Sequence, residues 1–218
     1  MEALPPSLSA RPVALVADAE DPELVALPSP PKRERTIALL VLAVAAVASC
    51  VMALTLRGDV AYALSTSTPT FLGELRDVNV SSIADNRLVQ GRGVLGAAGA
   101  IRFERAFAGD TYRVSPVAGR RDLWVEVRVP AGEENGRYMP PTAFAGRLVR
   151  FDSAGPRHRG LAAAIASVTG EAVPAGARVL VDGEAPADAR WAVALGALFL
   201  GFALWNVAAI ARFVRRAR

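Results

Sequence analysis

Ile37–Leu56 reads IALLVLAVAAVASCVMALTL, twenty residues without a charge, a proline or a glycine. At about 1.5 Å of rise per residue, a helix of this length crosses roughly 30 Å of hydrocarbon. A second apolar run, Trp191–Ala211, lies near the other end of the chain. Between the two lie about 130 residues, enough for one domain with its own core. The predicted organisation is a disordered Pro-rich tail over 1–35, a first transmembrane helix over 36–57, a β domain over 58–189, a second transmembrane helix over 190–211 and a basic tail over 212–218.

Charge sets the orientation. Lys32, Arg33 and Arg35 precede the first run and only Arg57 closely follows it; Arg190 precedes the second, and Arg212, Arg215, Arg216 and Arg218 follow it. Positive charge beside a span stays cytoplasmic, so each run independently predicts its terminus inside and the central domain outside, in the periplasm of a bacterial inner membrane. The central region Arg57–Arg190 carries 17 Arg and 15 acidic residues, nearly neutral. That argues against nucleic acid as a partner, which needs a basic face on the folded domain. The expected partners are the bilayer and a membrane protein; the sequence leaves self-association open.

The first 31 residues hold seven prolines and four acids between positions 18 and 23, with no aromatic residue. Such a segment buries too little apolar surface to offset chain entropy, so it reads as disordered. Cys50 is the single cysteine, which excludes an internal disulfide and a thiolate cluster. Val47-Ala48-Ser49-Cys50 resembles a lipoprotein cleavage box, but the apolar run continues to Leu56. We read Cys50 as a small residue in a membrane helix; the intact mass of the membrane-extracted protein decides whether it is lipidated.

Between the spans the period changes to two. Asp122–Val129, DLWVEVRV, puts Leu123, Val125, Val127 and Val129 on one face and Trp124, Glu126 and Arg128 on the other. Further strands are expected at Ala61–Leu64, Leu88–Leu95, Thr111–Val117, Phe144–Phe151 and Arg178–Val181, with another alternating stretch at Ile101, Phe103 and Phe107. Gly-bearing turns mark the breaks at 97–99, 108–110, 118–120 and 133–136. Gly160–Val168 reads as a short helix with Leu161, Ile165 and Val168 on one side. The expected fold is two transmembrane α-helices flanking a mainly antiparallel β domain, a small OB-like barrel or sandwich with one short helix capping an open end.

The motifs are sparse. Gly91-Arg92-Gly93-Val94-Leu95-Gly96 matches a dinucleotide fingerprint in letters, yet a strand rather than a helix follows. The glycines therefore read as a bend or bulge. His158 is the only histidine; among Arg157 and Arg159 it reads as an exposed turn. A hydrolase would have to use it with Ser153 or Asp152. No catalytic residue, metal ligand or cofactor is assigned. The partner-binding candidates are Trp124 and the rigid Tyr138-Met139-Pro140-Pro141 run, of which Tyr138, Pro140 and Pro141 supply the surface. Trp191, Trp205, Arg212 and Arg215 read as membrane anchors. Asn206 is expected near the headgroups, and Ala192/Gly196 and Ala197/Gly201 are small pairs that allow close helix approach.

Asp110-Thr111-Tyr112-Arg113-Val114-Ser115-Pro116 followed by Leu123–Pro130, ending Val127-Arg128-Val129-Pro130, resembles the Surfeit-locus family of cytochrome c oxidase assembly factors over about 60 residues. That family shows a Tyr–Val–Thr–Pro-like strand and then a strand ending Arg–Gly–Trp–Val–Pro. The Gly-Trp after Arg128 is absent here. The resemblance implies two spans, an extracytoplasmic β domain and a role in assembling a respiratory or other membrane complex. Ala61–Leu64 and Phe144–Phe151 are similar to the periplasmic haem chaperone of cytochrome c maturation, an OB-like barrel. Its haem-attaching His-x-x-x-Tyr is missing, since Ala162 lies four residues after His158. A sensor whose tail relays a signal inward is the remaining reading.

Overall fold

The computed structural model describes residues 32–104, 110–130, 132, 138–153, 158 and 160–215. The Pro-rich tail, Phe107, the turn at 133–136, most of 154–159 and the last three residues lie outside them. The chain divides into two compact units, Met1–Val41 and Leu42–Arg218.

Among the described residues two helices are long and apolar enough to cross a membrane. The first is α1, Lys32–Thr55. The other is α4, Arg190–Arg215. Only 11% and 17% of their most apolar windows are buried, so neither is the core helix of the folded domain. Val44, Val47 and Leu54 on α1, and Leu198, Leu200 and Leu204 on α4, are exposed. On α4 Ala192, Gly196, Ala203 and Asn206 form the buried stripe. Of the two small pairs, Ala192/Gly196 is thus buried, whereas Gly201 has open space around it. Asn206 is buried and donates Nδ2–H to the Phe202 carbonyl of its own helix, 2.7 Å away.

Arg57–Ala63 forms a short helix, α2, where a strand had been expected at Ala61–Leu64. Nucleation is the costly step in helix formation, and α1 ends only two residues earlier; extending helix from that end costs little. The Val60 amide donates to Leu56 and the Leu64 amide to Val60, which carries the helical pattern across the junction. The helix packs along α4, where a Cβ added at Gly196 would meet Val60 Cγ2 at 3.5 Å.

The domain is built on one seven-stranded mixed sheet. Its strands are β1 Thr70–Glu74, β2 Arg87–Arg92, β3 Ile101–Glu104, β4 Thr111–Pro116, β5 Leu123–Val129, β6 Ala143–Arg150 and β7 Arg178–Asp182. The spatial order is β1-β2-β6-β7-β5-β4-β3. Four of the six pairings are antiparallel; β1 with β2 and β5 with β7 are parallel. Where a small OB-like barrel or sandwich is expected, the strands form one mixed sheet that is not a closed barrel. β1 and β3 remain outer strands, and a single antiparallel bridge, Leu95↔Val117, ties the chain beyond β2 to the end of β4. The strand β1 had no sequence signal, because its register shifts between Phe71 and Gly73, where Gly73 takes φ of 73°.

The glycines of the G-x-G-x-x-G run serve close backbone approach. A Cβ at Gly91 would lie 2.5 Å from Leu75 Cδ2, and one at Gly93 would lie 3.2 Å from Leu75 Cβ. The segment after them bridges to Val117.

Both faces of the sheet are covered. Leu123, Val125 and Val127 of β5 join Leu75, Val89, Phe144 and Leu148 in one cluster. Trp124 joins Val114, Val149, Val179 and Val181 in the other, under α3, Leu161–Thr169. That second layer buries Trp124 and Glu126, the residues alternation alone would leave wet.

Candidate functional site

One concavity of the domain follows from how α3 sits. Leu161 and Ile165, four residues apart, face the sheet and are buried. Val168, expected on the same side, is 66% exposed. It lies three residues beyond Ile165, on the rim of a groove rather than under the helix. The groove has a volume of about 620 Å³ and runs between α3, the 96–99 turn and the 117–121 turn. Trp124, Ile165, Val168, Thr169, Val173 and Pro174 line it. The Trp124 indole N–H donates to the Arg121 carbonyl at 2.9 Å, and its ring meets Phe151 edge-on at 6.2 Å. The indole is therefore a fixed wall. An ion pair between Arg121 and Glu171, both exposed, crosses the rim.

Beneath the same layer, His158 Nε2 lies 2.5 Å from Glu126 Oε2. Their side chains are 4% and 0% exposed. The exposed turn expected at His158 is thus corrected: the imidazole is folded inward onto β5, because a carboxylate in the sheet layer needs a buried polar partner. Asp152 is bound instead by Arg150, which holds its carboxyl below the usual range. The hydrolase set of His158 with Asp152 or Ser153 is not assembled in the described residues.

A third cluster joins the sheet to the helices. Arg147 of β6 reaches Asp59 Oδ1 of α2 at 2.7 Å and Glu184 Oε1 at 3.1 Å. Its Nε donates to Asn86 Oδ1 at 2.7 Å, and its guanidinium lies 4.5 Å above the Tyr62 ring. Tyr62, fully buried, donates its hydroxyl to the Glu184 carbonyl at 2.6 Å. Asn86 takes φ of 62°, a conformation Asn tolerates, and donates Nδ2–H to the Gly58 carbonyl at 2.8 Å. None of these residues was a candidate from the sequence. The available signal was Arg147 itself, a charge inside the apolar run Phe144–Phe151.

The structure separates the expected partner-binding residues. Trp124 lines the groove, while Tyr138 packs on the cluster of the opposite face; Pro140 is half-buried and Pro141 exposed. Trp191 opens α4; Trp205 lies fourteen residues on, about 21 Å along the helix. That is short of a bilayer's hydrocarbon thickness. Arg212 lies about 32 Å from Trp191 along the same helix. Among the described residues no group of three or more His, Cys, Asp and Glu could hold a metal ion. The chain matches no known protein family, no curated protein and no solved structure.

Proposed function

We propose that this chain is a two-span membrane protein, both ends cytoplasmic, whose β domain faces the other side and holds a protein partner in the groove beside Trp124. Assembly of a respiratory or other membrane complex is the role that fits. Two apolar helices with their large side chains exposed support the anchoring. The clusters of Lys and Arg in the first turn of α1 and at the end of α4 support the orientation. The domain is OB-like in this reading: β2, β4, β5, β6 and β7 form a partly open barrel around the Leu95↔Val117 bridge.

The observation that carries the proposal is the groove itself, a concavity of mixed apolar and polar lining with a rigid indole wall and a charged rim. Such a surface accepts an apolar segment whose ends are polar. A photo-crosslinking residue at Val168 tests it in intact membranes. One defined adduct with a membrane protein is expected, lost when Ala98→Trp fills the groove and absent when the probe is moved to the exposed Met139. Equal labelling from Val168 and Met139 would remove the proposal. Protease added outside spheroplasts should cleave between Arg57 and Arg190; protection there would remove the orientation.

A further inference from the structure

A second, smaller cavity of about 270 Å³ lies between the start of β1 and the start of β2. Thr66, Thr68, Thr70 and Arg87 line it together with Ser82, whose hydroxyl donates to the Asn79 carbonyl, and Leu72 and Leu88 form part of its apolar wall. The threonine hydroxyls and the Arg87 guanidinium make no hydrogen bond or ion pair among the described residues. Arg87 is exposed. The nearby acid, Asp85, is taken up by Arg178 at 3.1 Å and Arg150 at 3.9 Å. Arg87 therefore keeps an uncompensated positive charge beside three free hydroxyl donors.

The location of this cavity is set by Asn86. Its side chain holds the Gly58 carbonyl, two residues beyond the end of the apolar run Ile37–Leu56. Arg87 is the next residue, so it stands at the level where the first span leaves the hydrocarbon. Thr66 and Thr68 follow Leu64, an apolar residue that is 73% exposed at the end of α2. The contact of Val60 with Gly196 puts α2 beside the second turn of α4, just past Trp191. Hydroxyls, one free guanidinium and an apolar wall at headgroup depth are the complement of a phosphodiester and its first acyl carbons.

We propose that the Thr66–Thr68–Thr70–Arg87 cavity binds the phosphate of an anionic phospholipid headgroup in the outer leaflet. The inference rests on the membrane reading above. The full chain in nanodiscs containing phosphatidylcholine and phosphatidylglycerol tests it, with retained lipid counted by native mass spectrometry. Wild type should retain phosphatidylglycerol preferentially. Arg87→Gln should lower that preference about tenfold, the loss of one charge-assisted contact. Thr66→Val with Thr68→Val should lower it less, and Arg57→Gln, at the same depth but outside the cavity, should leave it intact.

Equal loss in Arg57→Gln and Arg87→Gln would mean diffuse attraction and would overturn the site, as would an unchanged preference in Arg87→Gln. Displacement of the lipid by millimolar inorganic phosphate would assign the cavity to a free anion instead. A nitroxide at Val47 separates the two levels of failure. If lipid-dissolved oxygen does not reach it, the membrane reading falls. If oxygen does reach it and Arg87→Gln behaves as wild type, only the headgroup site falls.

Discussion

The Arg147 guanidinium donates to the Asp59 carboxylate at 2.7 Å across 88 residues of chain, joining the middle of a β-strand to the short helix that follows the first apolar span. Glu184, Asn86 and the Tyr62 ring surround the same guanidinium. One buried cation thus ties β6, the start of β2, the chain after β7 and α2 into one unit.

Removing that cation takes a shared donor from the Asp59 and Glu184 carboxylates at a site where Arg147 is only 11% exposed. Arg147→Ala should cost about 3–5 kcal/mol of unfolding free energy. Arg147→Lys should recover only part, because an ammonium lacks the planar fork that serves Asn86, Asp59 and Glu184 together. Denaturant titration in detergent measures both; equal stability of Arg147→Ala and wild type would show the cluster to be incidental.

The buried Glu126–His158 pair makes a contrasting prediction. His158→Ala leaves the Glu126 carboxylate buried without its imidazole and should cost about 3–5 kcal/mol. Replacing both residues by Leu removes the polar groups together, so most of that stability should return. A hydrolytic base would behave differently, since a refolded double variant would then lose a measurable turnover.

Two aspartates give pH effects of opposite sign. Arg120 donates to both carboxylate oxygens of Asp122, at 2.8 and 2.6 Å, and holds its pKa below the usual value. Its other nitrogen meets the carbonyls of Leu75, Arg76 and Val78. The stability from this pair is complete above the usual Asp value of about 4 and is lost as pH falls below it. Burial pushes Asp182 up, against backbone N–H groups of Ala145 and Gly183 that lower it. Its ionisation therefore opposes folding as pH rises through the carboxylate range. Urea midpoints from about pH 3 to pH 6 should show a smaller acid-side loss in Asp122→Asn and a smaller alkaline-side penalty in Asp182→Asn.

Packing of the sheet sets two glycines apart. A Cβ at Gly146 would fall 1.8 Å from the Val181 carbonyl oxygen, whereas at Gly91 the obstacle is the side chain of Leu75. Backbone in a ladder cannot step aside, but a leucine can change rotamer. Gly146→Ala should cost about 3 kcal/mol or more and Gly91→Ala about 1–2 kcal/mol, both read from thermal unfolding. Reversal of that order would contradict the pairing of β6 with β7.

Much of the architecture was legible in local pattern. The apolar lengths of Ile37–Leu56 and Trp191–Ala211 correspond to α1 and α4, and period-two alternation located β2, β4, β5, β6 and β7 within a few residues. Alternation misread Ala61–Leu64, where four residues carry no decisive period and a helix end stood close by. It also missed β1, whose bulge breaks the alternation, and left His158 outside.

The sequence alone determined the two apolar helices, the basic residues at their ends and most strands, because length, charge and periodicity act between near neighbours. Only the tertiary structure decided the open mixed sheet, the second covered face, the Arg147 cluster and both cavities. These depend on which strands become adjacent, and on buried charges such as Glu126 and Arg147 finding partners far away in the chain. A burial cost met at long range leaves no mark in local spacing.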